Sequence, residues 1–426
     1  MVVETQIDAS PTKEFFIEML TRDIPLDRSI LDLIDNSVDA AKSNGTKEPE
    51  IRITMNEDKF LIWDNCGGIP LKIAKDYAFR FGRPKERENT SFSVGQFGVG
   101  MKRTLFKLGN SFRVMSNSEN NLFSVDVDVQ HWKGLDEWKF NFTEQIAESL
   151  GCGETIIEVN DLFPSVSDQF NLENFVYILG RECSVAHFKS INSGLKIYIN
   201  DKLVDNFEIK LKSSEELKPV SFNFEKSTVK VKITAGISER SLKDGGWYIV
   251  CNGRLISSAE QTTISGWRLD GIPQYHPDYA FFRGIVEFEA DDSSLLPWTT
   301  TKTGVDKDNF IYKAALFEMK KVMREVIPFL RLRAKEDKDF KDNYIECKPL
   351  NDAIEVAPLL LTGDIGDEMS FTFPEPAIRK AKPSEATIQY KVSLEQLSAV
   401  KKSLGVTTNY EVGEETFKYY VQYECD

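Results

Sequence analysis

The chain has 426 residues, 41% of them hydrophobic and 28% charged, which suits two or three domains with real cores rather than one. Its formal net charge of -14 argues against a nucleic-acid binder driven by overall charge, although a local basic patch stays open. No run approaches a membrane span, and the start MVVETQIDAS lacks a signal-peptide pattern. Six scattered cysteines and three isolated histidines offer no zinc spacing, so a reduced cytoplasm is the expected location.

Residues 11–21 read as a helix with Pro11 in its first turn, and 27–43 as a longer one. EIRITM (50–55) and KFLIWD (59–64) read as strands joined by a short polar turn. A glycine-bearing loop, a short helix near 70–79 and a polar, glycine-punctuated stretch at 81–97 follow. Then come a helix over about 98–107 and strands at 111–116, 122–129 and 155–159. Helices segregated from a mostly antiparallel sheet predict an α+β chain that begins with an α/β sandwich over residues 1–165.

A second block, 166–335, is expected to hold the helix FNLENFVYILGREC and then the strands GLKIYIN, KPVSFNF, TVKVKITA, GWYIVCN and FFRGIVEFEA. It closes on a long helix over about 309–334. The charged run RAKEDKDFKDN reads as a solvated helix end. Residues 336–386, proline-bearing from 345 onward, read as a linker. Residues 387–426 read as strand, helix, strand, a small C-terminal α/β element.

The helix LDLIDNSVDAAKSNG (31–45) carries the first chemical signal. On a wheel of roughly 100° per residue, Ile30, Ile34, Val38 and Ala41 form a core stripe. Asp32, Asn36 and Asp39 gather on the opposite side, with Asp35 flanking them. By itself that spacing fits a solvated polar face. Clustered carboxylates also suit a cation, and hydrated magnesium takes oxygen ligands while keeping several waters. Further on, IWDNCGGIP (62–70) ends a strand on Asp64 before a glycine turn. There a carboxylate can accept a hydrogen bond from an exocyclic amine while a flat ring approaches. The alternative is a plain hairpin turn. GQFGVGMK (95–102) runs from a glycine-rich loop into a helix, where backbone amides can hold phosphates; alone it is a weak signal.

Taken in order, DLIDNSVDAA, DNCGGI and GQFGVGMK resemble the three nucleotide-binding motifs of the GHKL ATPases, the superfamily of gyrase B, heat-shock-90-type chaperones, histidine kinases and MutL. The resemblance covers roughly residues 10–160. It implies a Bergerat-fold sandwich holding ATP and Mg2+ between helices and sheet, under a mobile lid at 81–97. It implies that Asn36 coordinates magnesium, with Asp39 and Ala40 of the same motif at the nucleotide. Asp64 would bind the adenine amino group, and Gly68 and Ile69 would line the base pocket. Gly95, Gln96, Phe97, Gly98, Val99, Gly100 and Met101 would wrap the phosphates, and Lys102 would neutralise their charge. GETIIEV (153–159) resembles the family's later Gly-Thr strand, which implies that Thr155 supports Asp64 through a water.

Two positions depart from the family pattern. Its general base is usually a glutamate four residues before the asparagine, where this chain has Asp32. The shorter side chain sets the carboxylate about 1.5 Å farther back, which matters because a base must reach its water. Slow hydrolysis, or nucleotide binding without turnover, is therefore an expected alternative. Cys66 replaces the first glycine of the adenine turn.

YIVCNGRLI (248–256) resembles the Asn-Gly-Arg hairpin in the transducer domain of MutL- and MORC-like proteins, though NG is also the commonest plain hairpin turn. In LPWTTTKTGVD (296–306), Lys302 matches the transducer lysine that reaches the ATP γ-phosphate in such proteins. The alternative is a surface loop lysine. The nearest resemblance is to a compact MORC-like ATPase with a ribosomal-S5-like transducer. It implies an ATP-dependent homodimer in which segment 1–25 exchanges between protomers. A DNA or effector-protein partner, with a role in DNA maintenance or defence, rests on the same analogy.

Overall fold

The computed structural model describes residues 10–81, 99–144, 149–299, 301–380 and 386–425. The first unit contains α1 (Lys13–Thr21), α2 (Leu26–Asn44), β1 (Glu50–Met55), β2 (Lys59–Asp64), α3 (Leu71–Ile73) and, after a π-helical turn at Ala74–Ala78, α4 (Gly100–Leu108). It continues through β3 (Gly109–Ser118), β4 (Asn121–Asp128), α5 (Val129–Lys133), β5 (Asn141–Glu144) and β6 (Thr155–Leu162). Then come α6 (Pro164–Phe170), α7 (Glu173–Ala186), α8 (Phe188–Asn192), β7 (Lys196–Ile199) and β8 (Lys202–Leu203).

Local chemistry explains the best-defined boundaries. Gly45 stops α2 in the left-handed conformation (φ 60°), where a Cβ is unfavourable. Between β1 and β2, the Asn56 side chain accepts hydrogen bonds from the Asp58 and Lys59 amides and fixes the turn. Inward Ile51, Ile53 and Met55 on β1 meet Phe60 and Ile62 on β2.

The first sheet runs β5-β4-β3-β6-β2-β1-β7-β8. Its neighbours are antiparallel except β1 and β7, which pair in parallel. The boundary expected near residue 165 therefore falls inside this unit. Leu179, Cys183, Ile197 and Ile199 pack into the same core as Ile34 and Phe60. The parallel pairing of GLKIYIN with β1 is a long-range choice that its own alternation cannot reveal.

The second unit contains β9 (Lys210–Lys212), β10 (Val220–Lys226), β11 (Val229–Ile237), β12 (Gly246–Cys251), β13 (Arg254–Glu260), β14 (Phe282–Glu289), α9 (Phe310–Lys341), α10 (Pro349–Val356) and β15 (Leu359–Leu361). Its main sheet runs β10-β11-β14-β12-β13, and β15 pairs with β9. α9 covers the sheet through Ile311, Ala315, Met319, Val322 and Val326.

Two expectations are corrected here. Residues 336–386 are not a bare linker. Leu350, Ala353 and Ile354 of α10 enter the second core. Glu336, inside the charged run, is buried and accepts from the amides of Leu350 and Asn351 at 3.2 and 3.0 Å, capping α10. The tail is not α/β either, since it consists of α11 (Leu394–Leu404) and α12 (Asn409–Glu424). FKYYVQYE has strand-forming residues. Yet Thr408 and Glu411 make a reciprocal capping box that starts a helix through them.

Candidate functional site

The site is organised by α2, which lies between the first sheet and the second unit. Its apolar stripe, Ile30, Ile34, Val38 and Ala41, faces the first core as expected. The polar side is less solvated than the wheel suggests. Asn36 is exposed and Asp39 and Ala40 are partly buried, but Asp32 is only 4% exposed and Asp35 is fully buried.

Asp35 is the meeting point of the two units. Its Oδ1 accepts from Arg254 Nε at 2.6 Å, and its Oδ2 from Lys302 Nζ at 2.5 Å. His187 Nε2, at the junction of α7 and α8, lies 3.3 Å from Oδ1. Burial pushes the Asp35 carboxyl up; Arg254, Lys302 and His187 outweigh it and hold the group well below its ordinary value. Burial lowers His187, against the pull of Asp35.

Backbone geometry delivers both cations. Asn252 and Gly253, both at positive φ, form a two-residue turn that sets Arg254 opposite Cys251 at the start of β13. Lys302 stands at φ 53° in a loop closed by the Thr299 amide on the Gly304 carbonyl at 3.0 Å. This left-handed backbone turns the side chain inward, so the lysine is buried rather than on the surface. From its seat on Asp35, Lys302 Nζ is also 3.7 Å from Asp32 Oδ1. Asp32 Oδ2 in turn accepts from Arg103 Nη2 of α4.

The other end of the site is built differently. Asp64 closes β2 and accepts from Ser37 Oγ at 2.8 Å and from the Cys66 amide at 2.9 Å. The Cys66 thiol donates to it as well; all three donors are neutral, so burial dominates and raises its carboxyl to about 6. Beside it, Thr155 and Ser116 share a hydroxyl hydrogen bond of 2.9 Å, and Ser116 Oγ accepts from the Ile69 amide at 2.8 Å. Gly67 and Gly68 take positive φ. A Cβ on Gly68 would strike the Asn117 carbonyl, and one on Gly67 would strike the Asn44 side chain. Cys66 is buried, and burial together with the charge of Asp64 pushes its thiol up, so it stays a neutral thiol that donates to Asp64.

At the start of α4, Val99 is the cap and Gly100 the first helical residue. Met101 and Lys102 are buried, and Lys102 Nζ donates to the Ala78 carbonyl at 2.8 Å. Gly95, Gln96, Phe97 and Gly98 lie outside the described residues, as does most of the stretch expected to be a lid.

Of the residues singled out from sequence, Asp32, Asp64, Gly68, Ile69, Gly100, Thr155 and Lys302 therefore border one region around α2. Sequence reasoning missed Arg103, His187 and the central place of Asp35. It took Arg254 only as part of a turn. Among the described residues, no group of three or more His, Cys, Asp or Glu is arranged to hold a metal, and no helix is long and apolar enough to cross a membrane.

A helix bearing carboxylates and an exposed amide, a buried acid at a strand end beside a glycine turn, and a second helix opening on glycine lie together around α2. Residues 24–155 match the family described as histidine kinase-, DNA gyrase B-, and HSP90-like ATPase. That match supports a GHKL-type ATPase domain over this stretch, and with it ATP binding. No curated protein matches the chain.

Proposed function

We propose that the chain is a magnesium-dependent GHKL ATPase in which the second unit, acting as a MORC-like transducer, senses the nucleotide through Lys302. The observation that carries this reading is the position of Lys302. Although 267 residues away from Asp35 in sequence, it enters the nucleotide helix and stands between Asp35 and Asp32.

The residues fit an adenine nucleotide. Asp64 keeps lone pairs beyond its three neutral donors and would accept from the adenine amine. The Gly67–Gly68 turn leaves a flat cradle that a Cβ would fill. Asn36, with its side chain exposed on α2, would hold the magnesium ion, which would neutralise phosphate charge and needs only one or two protein oxygens besides phosphate and water. Lys302 would exchange its carboxylate partners for the terminal phosphate, tying phosphate state to the position of the second unit. Asp32 would take the proton of the attacking water. An ATP-dependent homodimer working as a clamp, acting on DNA or an effector protein, extends this reading by resemblance alone.

A second reading, a switch that binds ATP with negligible turnover, is favoured by one feature. Both oxygens of Asp32 face cations. Steady-state ATP hydrolysis with magnesium, measured beside Asp32→Ala and Asn36→Ala, separates the two. Loss of turnover in both variants supports the ATPase. Wild-type binding without turnover, abolished by Asn36→Ala, supports the switch. Absence of nucleotide binding contradicts both.

A further inference from the structure

Asp32 is the group expected to activate water, yet cations crowd its carboxylate. Oδ2 is occupied by the Arg103 guanidinium and Oδ1 faces Lys302. Gly100 presses on the same carboxylate so closely that a Cβ there would stand 3.2 Å from Asp32 Cγ. A carboxylate with a guanidinium on one oxygen, an ammonium facing the other and a helix start packed against it is shielded from an incoming water.

The two cations differ in what holds them. Lys302 has a second seat on Asp35 at 2.5 Å and can leave Asp32 without becoming unpaired. Arg103 bonds Asp32 through Nη2, while its buried Nε has no hydrogen-bond partner among the described residues. A buried unpaired donor is costly, and a guanidinium presents several donors in a fixed fork that suits phosphate oxygens. Because Arg103 touches the carboxylate that would activate the attacking water, it would lie close to the phosphate under attack.

Resting on the ATPase reading above, we propose that Arg103 is a phosphate-sensing residue. It bonds Asp32 and re-seats on the terminal phosphate of a nucleoside triphosphate when one binds. Its departure unmasks Asp32. The water proton then passes to the Asp32 carboxylate, the water oxygen bonds to the terminal phosphorus, and the phosphorus–oxygen bond to the diphosphate breaks. The products are ADP and inorganic phosphate, and no further reactant is needed. Masking thus makes the base available only when its substrate is present.

The test is calorimetric titration of the full chain, with magnesium, using ATP and separately ADP. Asp32→Asn removes the charge that holds Arg103, so ATP should bind about tenfold tighter than to wild type, while ADP, lacking the terminal phosphate, should bind as before. In the double variant Asp32→Asn with Arg103→Met, the tightening should vanish. No tightening, equal tightening for ADP, or tightening that persists in the double variant would overturn the proposal; persistence would assign the effect to Lys302. If Asp32→Asn fails to fold, Arg103→Met and Arg103→Lys serve instead. The preference for ATP over ADP should fall in the first and be largely kept in the second, and an unchanged preference in Arg103→Met overturns the proposal. Failure of wild type to bind ATP would instead refute the nucleotide reading itself.

Discussion

Asp35 and Asp64 are the same residue type, both buried and both bordering α2, yet burial leads to opposite outcomes. Asp35 is surrounded by Arg254, Lys302 and His187 and is held well below its ordinary value. Asp64 has a serine hydroxyl, a backbone amide and the Cys66 thiol, all neutral, and is raised to about 6. The first carboxylate is compensated within the chain and joins the two units. The second is left under-compensated, as suits a group that meets its partner in a ligand.

The largest effect should come from emptying the compensated seat. Asp35→Ala leaves Arg254 and Lys302 buried without their carboxylate and should cost about 3–5 kcal/mol, read from urea denaturation. A loss below about 1 kcal/mol would mean that the cluster holds little. Asp64→Asn should act the other way. Its carbonyl can still accept from the Cys66 amide, and its NH2 can donate to Ser37 Oγ once that hydroxyl turns, while a poorly compensated charge is removed, so the protein without nucleotide at pH 7.5 should gain about 1–2 kcal/mol. A lower melting temperature would sink the idea that Asp64 is strained by its charge.

The same contrast has a pH signature. The folded value of Asp64, about 6, lies above the unfolded value of about 3.9. Its contribution is therefore fully present below pH 4 and is lost as the pH rises through 6, an amount on the order of 3 kcal/mol. Asp35 does the reverse: its stabilisation is present above its unfolded value and disappears as acid protonates it. Replacing Asp64 by Asn should flatten the decline between pH 4 and 6, and a profile identical to wild type would argue against the raised value.

Smaller still is Lys302→Met. Asp35 keeps Arg254, so the cost should be about 1–2 kcal/mol, while ATP binding weakens more than ADP binding. Deleting residues 386–426 should change the body's unfolding midpoint least of all. α11 has no buried residue and α12 buries only Val412, so a shift above about 0.5 kcal/mol would reveal contacts that matter.

What could be read from sequence divides along the same line. α2 and the β1–β2 hairpin were legible because their signals are local: a helical stripe, a glycine stop, and alternation around a polar turn. The Asp64 end lies within one short motif and was legible too. The Asp35 seat was not, since Arg254 and Lys302 lie 219 and 267 residues away and only the fold brings them in. Arg103 follows Lys102 directly, but a lone arginine on a helix gives no hint of its partner. α10 and α12 did carry usable signals, Pro349 at a helix start and the Thr408–Glu411 capping pair. There, proline content and aromatic residues outweighed them.

The most direct measurement is titration of ATP, with magnesium at pH 7.5, into the wild-type chain and into Asp64→Asn. The account predicts saturable one-site binding in wild type and its loss in a variant that is folded and at least as stable. No binding by wild type, or equal binding by the variant, would contradict the claim that Asp64 marks an adenine-nucleotide site.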